Sequence, residues 1–310
     1  MANTINYAEK YETELLAVTN QQTLTSPFIT TNVKWLNAKS FHFTSLVPTG
    51  FQSHNRSGGW NRGNVVETDH VYELKHDVDV EFLIDKADVD ESNYTATIEN
   101  VSMNMQLINQ APEVDARFFE QVSAAAIAAG GDYVTVNSSI TADNVIETIK
   151  SAIKPVKIYR GSLMCYVNST VMDLLEQAMI DKGRVQWTTI SESPNAIETR
   201  VFQLDGTPVV EVIDDARFGT AMTYAESGSE TYGFAIDEVN DRGLEICVAS
   251  LATVKTVPKV SSIYFFKPGD HTKGDGYLYQ NRQLWDTIVK PNGKNGLIDS
   301  VSIVVSSAAA

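Results

Sequence analysis

The chain has 310 residues, with 24 Lys or Arg against 39 Asp or Glu, so its net charge is −15. Hydrophobic residues make up 43% of it, which is typical of folded proteins and excludes a largely disordered chain. The acidic excess argues against tight binding of nucleic acid, because such binding depends on Lys and Arg neutralising phosphates. The longest uncharged run of small residues, 123–131, is too short to cross a membrane. The length suggests about two domains.

The first predicted element is a short amphipathic helix near the N-terminus. Its apolar stripe recurs at spacings of three and four, and consists of Tyr7, Tyr11, Leu15 and Val18. So short a helix needs a surface to lie on, and that surface could belong to another subunit. The following stretch, 21–37, contains Pro27 and no sustained period, which is typical of an extended arm.

The strongest strand pattern of the sequence lies between residues 41 and 84. Phe41 and Phe43 open one strand, and apolar and polar residues alternate strictly from Tyr72 to Ile84. We predict a long hairpin, in which Tyr72–Ile84 is one strand. A strand of that length would span about 43 Å and would project beyond its own domain.

The predicted tip of this hairpin, 50–64, is polar and rich in glycine, and it carries one tryptophan and two arginines. Trp and Arg are the residues that most often anchor protein interfaces. Arg56, Trp60 and Arg62 are therefore candidate contacts with another subunit. The alternative is a mobile, solvated tip.

A long helix is predicted next, with apolar stripes before and after Pro112, which should kink or restart it. From Thr141 the pattern gives a helix that stops at Pro155, a strand around Cys165, and a helix over 169–182. A hairpin turning at Asp205–Gly206, a loop rich in Gly, Ser and Thr (214–233) and further strands follow. The predicted late strands cover 263–266, 277–289 and 297–305.

Several patterns that would indicate chemistry are incomplete. Ser151 and Lys154 have the spacing of a serine nucleophile and its lysine, but the companion motifs are missing. A metal site that uses His70 and His76 is disfavoured, because strand alternation sends neighbouring ligands to opposite faces. We therefore expect no enzyme activity, metal or cofactor, and keep a hydrolase as the remote alternative. Cys165 and Cys247 lie in apolar runs, which favours buried, reduced thiols.

One basic run stands out in this acidic chain. Its four residues are spaced by three and four, and are Lys150, Lys154, Lys157 and Arg160. Because Pro155 is expected to interrupt the helix that could align them, we interpret the run as a solvated face.

A set of distinctive segments lies mostly in the first 130 residues of the chain. The segments are Ile5-Asn6-Tyr7-Ala8-Glu9-Lys10, Leu24-Thr25-Ser26-Pro27-Phe28, Asn32-Val33-Lys34-Trp35-Leu36, His54-Asn55-Arg56-Ser57-Gly58-Gly59-Trp60-Asn61 and Phe82-Leu83-Ile84-Asp85-Lys86-Ala87-Asp88-Val89-Asp90-Glu91, and Tyr279-Gln280-Asn281-Arg282 supports them later in the chain. These segments resemble tailed-bacteriophage major capsid proteins of the Hong Kong 97 (HK97) type.

The resemblance implies an α+β, HK97-like capsid fold. Its parts would be an N-terminal arm (1–37), an extended β-hairpin called the E-loop (38–84), a peripheral domain with a long spine helix (85–135 and 255–310) and an inserted axial α/β domain (136–254). The loop 214–233 would then face the symmetry axis of a pentamer or hexamer. Tyr7, Tyr11 and Leu15 would be the inter-subunit contacts of the arm.

The function implied is a structural protein that self-assembles into the icosahedral head shell around phage DNA, which it would contact only weakly. It would assemble in the bacterial host cytoplasm and reside in the virion. Its partners would be itself, a separate scaffolding protein, a portal and in some heads a decoration protein. An encapsulin-like compartment of the same fold is the alternative. Some members crosslink through an E-loop lysine, but the tip 50–64 has none, so no crosslink is expected.

Overall fold

The computed structural model describes residues 23–37, 39–54, 58–87, 98–159, 161–181, 188–189, 200–292 and 296–307. The predicted N-terminal helix with Tyr7, Tyr11 and Leu15 lies outside these residues. The chain enters the fold at a single 3-10 turn, Ser26–Phe28, whose Phe28 is buried. A small antiparallel sheet follows, with the order β1-β2-β3. Its strands are β1 (Lys34–Trp35), β2 (Ser40–Pro48) and β3 (Val65–Glu73).

The prediction of one continuous strand over Tyr72–Ile84 is wrong. β3 ends at Glu73, and a separate strand, β4 (His76–Asp85), begins after Leu74 and Lys75. The break is held because the N–H of Leu74 donates to the carbonyl of Lys39, whereas the N–H of Lys75 donates to the carboxylate of Asp286. Each half of the alternating pattern is a real strand, but the two halves belong to different sheets.

A long helical segment crosses the molecule, as predicted for the spine. It consists of α1 (Ile98–Met105), a π-helical turn (Gln106–Gln110) and α2 (Ala111–Ala129), and would span roughly 48 Å at about 1.5 Å per residue. The backbone stays helical through Gln110 and Ala111, so the helix does not restart at Pro112; the irregularity near this proline is the π-helical turn directly before it. α2 ends at Gly130, whose φ of 63° suits glycine.

The next half of the molecule contains β5 (Val134–Val136), α3 (Val145–Val156), β6 (Leu163–Asn168), α4 (Ser169–Asp181), β7 (Thr188–Thr189), β8 (Arg200–Leu204), β9 (Thr207–Val212), β10 (Met222–Tyr224), β11 (Phe234–Ile236), β12 (Leu244–Ser250) and β15 (Val301–Val305). Its largest sheet has seven strands in the order β5-β15-β12-β6-β9-β8-β7, and β10 and β11 form a separate two-stranded sheet. Within the larger sheet, β6 pairs with β9 and β15 pairs with β5 in parallel, and the other pairs are antiparallel.

Helices cover both faces of the seven-stranded sheet. Cys165, Val167 and neighbouring inward residues pack against α3 and α4. The alternate residues, such as Tyr166 and Cys247, pack on the other face against Phe118 and Phe119 of α2. Alternation along each strand therefore supplies two separate apolar clusters from one sheet.

A third sheet carries the two longest strands. β13 (Val254–Phe266) and β14 (Gly276–Val289) pair antiparallel, and β4 adds to β14, giving the order β13-β14-β4. Both α1 and α2 pack against β14, so the spine lies on this sheet as well as on the seven-stranded one. The mixed α+β architecture is confirmed.

One further prediction, the stop of a helix at Pro155, differs from the structure. α3 runs to Val156, past Pro155, because the proline removes only one hydrogen bond near the helix end and Val156 is fully buried against the sheet. The strand Val301–Val305, expected in the peripheral part 255–310, lies inside the seven-stranded sheet between β5 and β12. The turn at Asp205–Gly206 is confirmed, and both residues have positive φ, 52° and 82°. No helix of the described segments combines the length and apolarity that a membrane crossing needs.

Candidate inter-subunit contact surface

The hairpin of β2, β3 and their connection 49–64 is rooted in an aromatic cluster. Phe41 is fully buried, and its ring centroid lies 5.3 Å from that of Trp35, 5.6 Å from Phe43 and 5.9 Å from Tyr72. Phe41 also packs in one cluster with Leu74 and with the third sheet, through Val257, Leu284 and Ile288. The base of the hairpin is therefore part of the core.

Two lysine side chains lie over aromatic rings at the base of the hairpin. The ammonium of Lys259 lies 3.9 Å from the centre of the Trp35 ring, and that of Lys290 lies 3.2 Å from the centre of the Phe43 ring. Partial burial lowers the pKa of Lys290, with Lys255 acting in the same direction. Cations over aromatic faces stabilise such contacts most when they are partly desolvated.

The outer half of the hairpin has no such cover. Leu46, Val65 and Val66 are at least half exposed, although each is apolar and lies in a regular strand. Two strands of nine residues extend about 30 Å, and an isolated two-stranded ribbon is marginal in water. The ribbon thus carries apolar surface far from its own core.

At the tip, Trp60 is 93% exposed, and the aromatic ring of Phe51 is exposed too. The tip has local order, because the amide of Asn61 donates to the carbonyl of Ser53 at 2.9 Å. Arg62 is exposed and makes no ion pair with any residue in the described segments. The predicted contacts Trp60 and Arg62 therefore lie together on an uncovered tip, whereas Arg56 falls outside the described residues.

The arm is fastened where it enters the fold. The fully buried carboxyl group of Asp115 on α2 accepts hydrogen bonds from the N–H groups of Leu24 and Thr25, from the Thr25 hydroxyl and from Arg217. Burial raises the pKa of Asp115, while the bonds from Thr25 and Arg217 act in the opposite direction. Sequence reasoning missed this group, although an Asp inside the apolar stripe of a helix is a signal for it.

A polar seam along α2 joins the third sheet to the two-stranded sheet of β10 and β11. Arg117 donates to Asp286 of β14 at 3.0 Å and to Glu120 at 2.7 Å. Glu120 also accepts the hydroxyl of Tyr224 from β10 at 3.1 Å. One turn earlier, Glu113 lies 2.8 Å from His76 Nε2 of β4, whose imidazole ring packs edge-on against Tyr224. The spine therefore fixes strands of both halves through charged and polar groups.

The residues considered for chemistry do not assemble into a site. The Ser151 hydroxyl donates to the carbonyl of Thr148 at 2.8 Å, and Lys154 is exposed on the helix surface. His70 and His76 lie in different sheets. Over the described segments, no group of three His, Cys, Asp or Glu side chains is arranged to hold a metal.

The overall arrangement matches solved capsid structures. Cyanophage P-SCSP1u capsid superposes with a TM-score of 0.66 at 13% identity, covering 94% of this chain and 89% of that one. The mature capsid of bacteriophage PhiM1 gives 0.61 at 13% identity, with 92% and 87% covered. A virus-like particle from Pyrococcus furiosus gives 0.50 at 11% identity, with 97% and 100% covered.

No family model and no curated relative matches the sequence. The likeness to the solved structures establishes the fold, and the HK97-like capsid fold expected from the sequence is confirmed.

Proposed function

We propose that this chain is the major capsid protein of a tailed phage, a structural protein that self-assembles into the icosahedral shell around the genome. The observation that carries the proposal is the hairpin: its root is buried in the core, whereas its apolar outer strands and Trp60 have no cover. A chain with a capsid fold and such a projecting ribbon gains stability when the ribbon lies on a neighbouring copy.

Each part of the chain then has a role in the shell. The arm 1–37 extends from its fastening point at Asp115 toward another subunit, with Tyr7, Tyr11 and Leu15 as contacts. The E-loop corresponds to the hairpin Ser40–Glu73, which is shorter than the 38–84 expected from the sequence, because β4 belongs to the third sheet. That sheet and the spine make the peripheral domain, and the seven-stranded sheet makes the axial domain.

The same proposal assigns partners and location. Copies form pentamers and hexamers in the virion, after assembly in the host cytoplasm with a scaffolding protein and a portal. A decoration protein on the finished shell is a further expected partner. The net charge of −15 supports only weak contact with packaged DNA, and the role requires no catalysis.

Expression of the chain with and without its scaffolding protein, followed by negative-stain microscopy, tests the proposal. We expect closed particles or capsomers; a monodisperse monomer under every condition would overturn it. Closed particles that enclose a co-purifying enzyme in place of DNA would favour an encapsulin-like compartment.

The tip gives a sharper test. Trp60→Ala should reduce particle yield several-fold while subunit unfolding stays unchanged, because the ring lies outside the core. Trp60→Phe is the matched control and should retain most of the yield. Equal yields for Trp60→Ala and the parent chain would remove Trp60 from the interface.

A further inference from the structure

Three residues of the basic run are exposed near the end of α3. Lys150 and Lys154 lie on α3, which continues through Pro155, and Lys157 lies in the 3-10 turn that follows, so the spacings are four and three. The fourth residue of the run, Arg160, lies outside the described residues. Lys150 lies 3.6 Å from Asp205, and Glu147 stands one turn earlier. Lys154 and Lys157 have no acidic partner in the described segments, so their charge is uncompensated.

An apolar side chain sits at the same end of the helix. Ile158 is the second residue of the 3-10 turn after α3 and is 76% exposed, although it is β-branched and lies in an ordered turn. The end of α3 therefore presents two free cations around an uncovered apolar group, which we call the lysine patch (Lys154, Lys157 and Ile158).

The loop between β10 and β11 carries groups that complement the lysine patch, namely acidic side chains beside an exposed aromatic ring. Residues 225–233 contain no Lys or Arg, and they expose Glu226, Glu230 and Tyr232, the last of these by 87%. Neither glutamate forms an ion pair within the part of the chain described. We call this set the acidic patch (Glu226, Glu230 and Tyr232).

The loop that carries the acidic patch is ordered by its own backbone. The N–H of Ala225 donates to the carbonyl of Gly233 at 2.9 Å, and the N–H of Ser229 donates to the carbonyl of Glu226 at 3.0 Å. Such a preformed loop loses little conformational entropy when it binds.

The two patches are attached to elements on opposite faces of the seven-stranded sheet. The acidic loop is tied to the α2 face of the seven-stranded sheet, since Glu120 accepts hydrogen bonds from Met222 and Tyr224. α3 covers the opposite face of that sheet. A contact between different patches of identical copies is heterologous, and when its rotation closes it makes a ring.

We propose that the acidic patch of one copy docks on the lysine patch of the next copy around a ring, pairing Glu226 and Glu230 with Lys154 and Lys157 and covering Tyr232 with Ile158. This inference rests on the proposed shell function and names the surfaces that hold neighbouring axial domains together. Charged pairs of this kind steer association and determine which neighbour binds. Because dissolved salt screens the charges, we expect the contact to weaken as the salt concentration rises.

Charge exchange tests the pairing. We expect Lys154→Glu with Lys157→Glu to lower the yield of particles at least about tenfold, because like charges then face each other across the contact. Glu226→Lys with Glu230→Lys should do the same, and the fourfold variant that carries both changes should recover most of the yield.

The matched control separates pairing from net charge. Asp132→Lys with Asp143→Lys adds the same charge at exposed positions away from the acidic patch, and should not rescue the lysine variant. Full assembly of the lysine variant, or equal rescue by the control, would overturn this inference while leaving the shell function intact. Failure of the unaltered chain to assemble under any condition would instead count against the shell function itself.

Discussion

The hydroxyl of Thr25 donates a 2.7 Å hydrogen bond to Asp115, ninety residues later in the chain. Asp115 also receives two backbone N–H groups and Arg217, and all of these bonds converge on one fully buried carboxyl group. Three distant segments are thereby held at one point: the root of the arm, the spine and the turn at Arg217.

We expect Asp115→Ala to lower the free energy of unfolding by about 3–5 kcal/mol, because Arg217 and two N–H groups lose their acceptor in the interior. Thr25→Val removes one hydrogen bond and keeps the shape, so it should cost about 1 kcal/mol. Urea unfolding of the unassembled subunit measures both. Thr31→Val is an exposed control and should change the free energy of unfolding little. If Asp115→Ala changed it as little as this control does, the stabilising role of the Asp115 carboxyl group would be contradicted.

The hairpin offers a matched pair of residues on one strand. Phe41→Ala should destabilise the subunit by about 3–5 kcal/mol, because a fully buried aromatic ring is lost from the junction with the third sheet. Leu46→Ala, five residues along the same strand, should change subunit stability little because Leu46 is exposed. Thermal unfolding and limited proteolysis of residues 40–73 distinguish the two variants. Equal effects of Phe41→Ala and Leu46→Ala would contradict a hairpin whose base is packed in the core and whose outer half is exposed.

The seam along α2 predicts a large cost for removing its arginine. Arg117→Met leaves Asp286 and Glu120 without their cation, and should lower the free energy of unfolding by about 3–5 kcal/mol. Tyr224→Phe removes one hydrogen bond to Glu120 and should cost about 1 kcal/mol. Denaturant unfolding of both variants checks the order, and a smaller loss for Arg117→Met than for Tyr224→Phe would show that the seam does not stabilise the subunit.

Both cysteines should be chemically silent in the folded protein. Burial raises the pKa of Cys165 to about 12 and also raises that of Cys247, so at pH 8 both remain protonated and inaccessible. A thiol reagent such as DTNB should label neither until urea unfolds the chain. Ser227→Cys, on the exposed loop, should react at once; fast labelling of the parent chain would contradict the burial.

The local sequence patterns predict helices and strands better than they predict which strands pair in a sheet. The alternation over Tyr72–Ile84 correctly identified strand conformation, but period two carries no information on where a backbone turns at Leu74 or which sheet each half joins. The pattern also predicts the strand conformation of Val301–Val305, but its place between β5 and β12 depends on pairing with segments far away in the sequence. The resemblance to capsid proteins supplied the architecture that these patterns could not.

For the candidate surfaces, too, the sequence indicates the residue types, and the structure adds their surroundings. Trp60 was recognisable as a large aromatic in a polar tip, and the structure adds that it has no cover. For the basic run Lys150, Lys154, Lys157 and Arg160, interpreted as a solvated face, the sequence predicts a helix that stops at Pro155. Pro155 instead falls in the last turn of α3, where burial of Val156 offsets the lost hydrogen bond. Tertiary packing outweighed the local rule at that position.

The position of β15 also governs how the subunit is made. Because Val301–Val305 fills the gap between β5 and β12, that sheet becomes continuous only after residue 305 has left the ribosome. Until then the aromatic side of α2 lacks part of the layer that covers it. The seven-stranded sheet is thus closed by the last of its strands to be synthesised, long after β5 beside it.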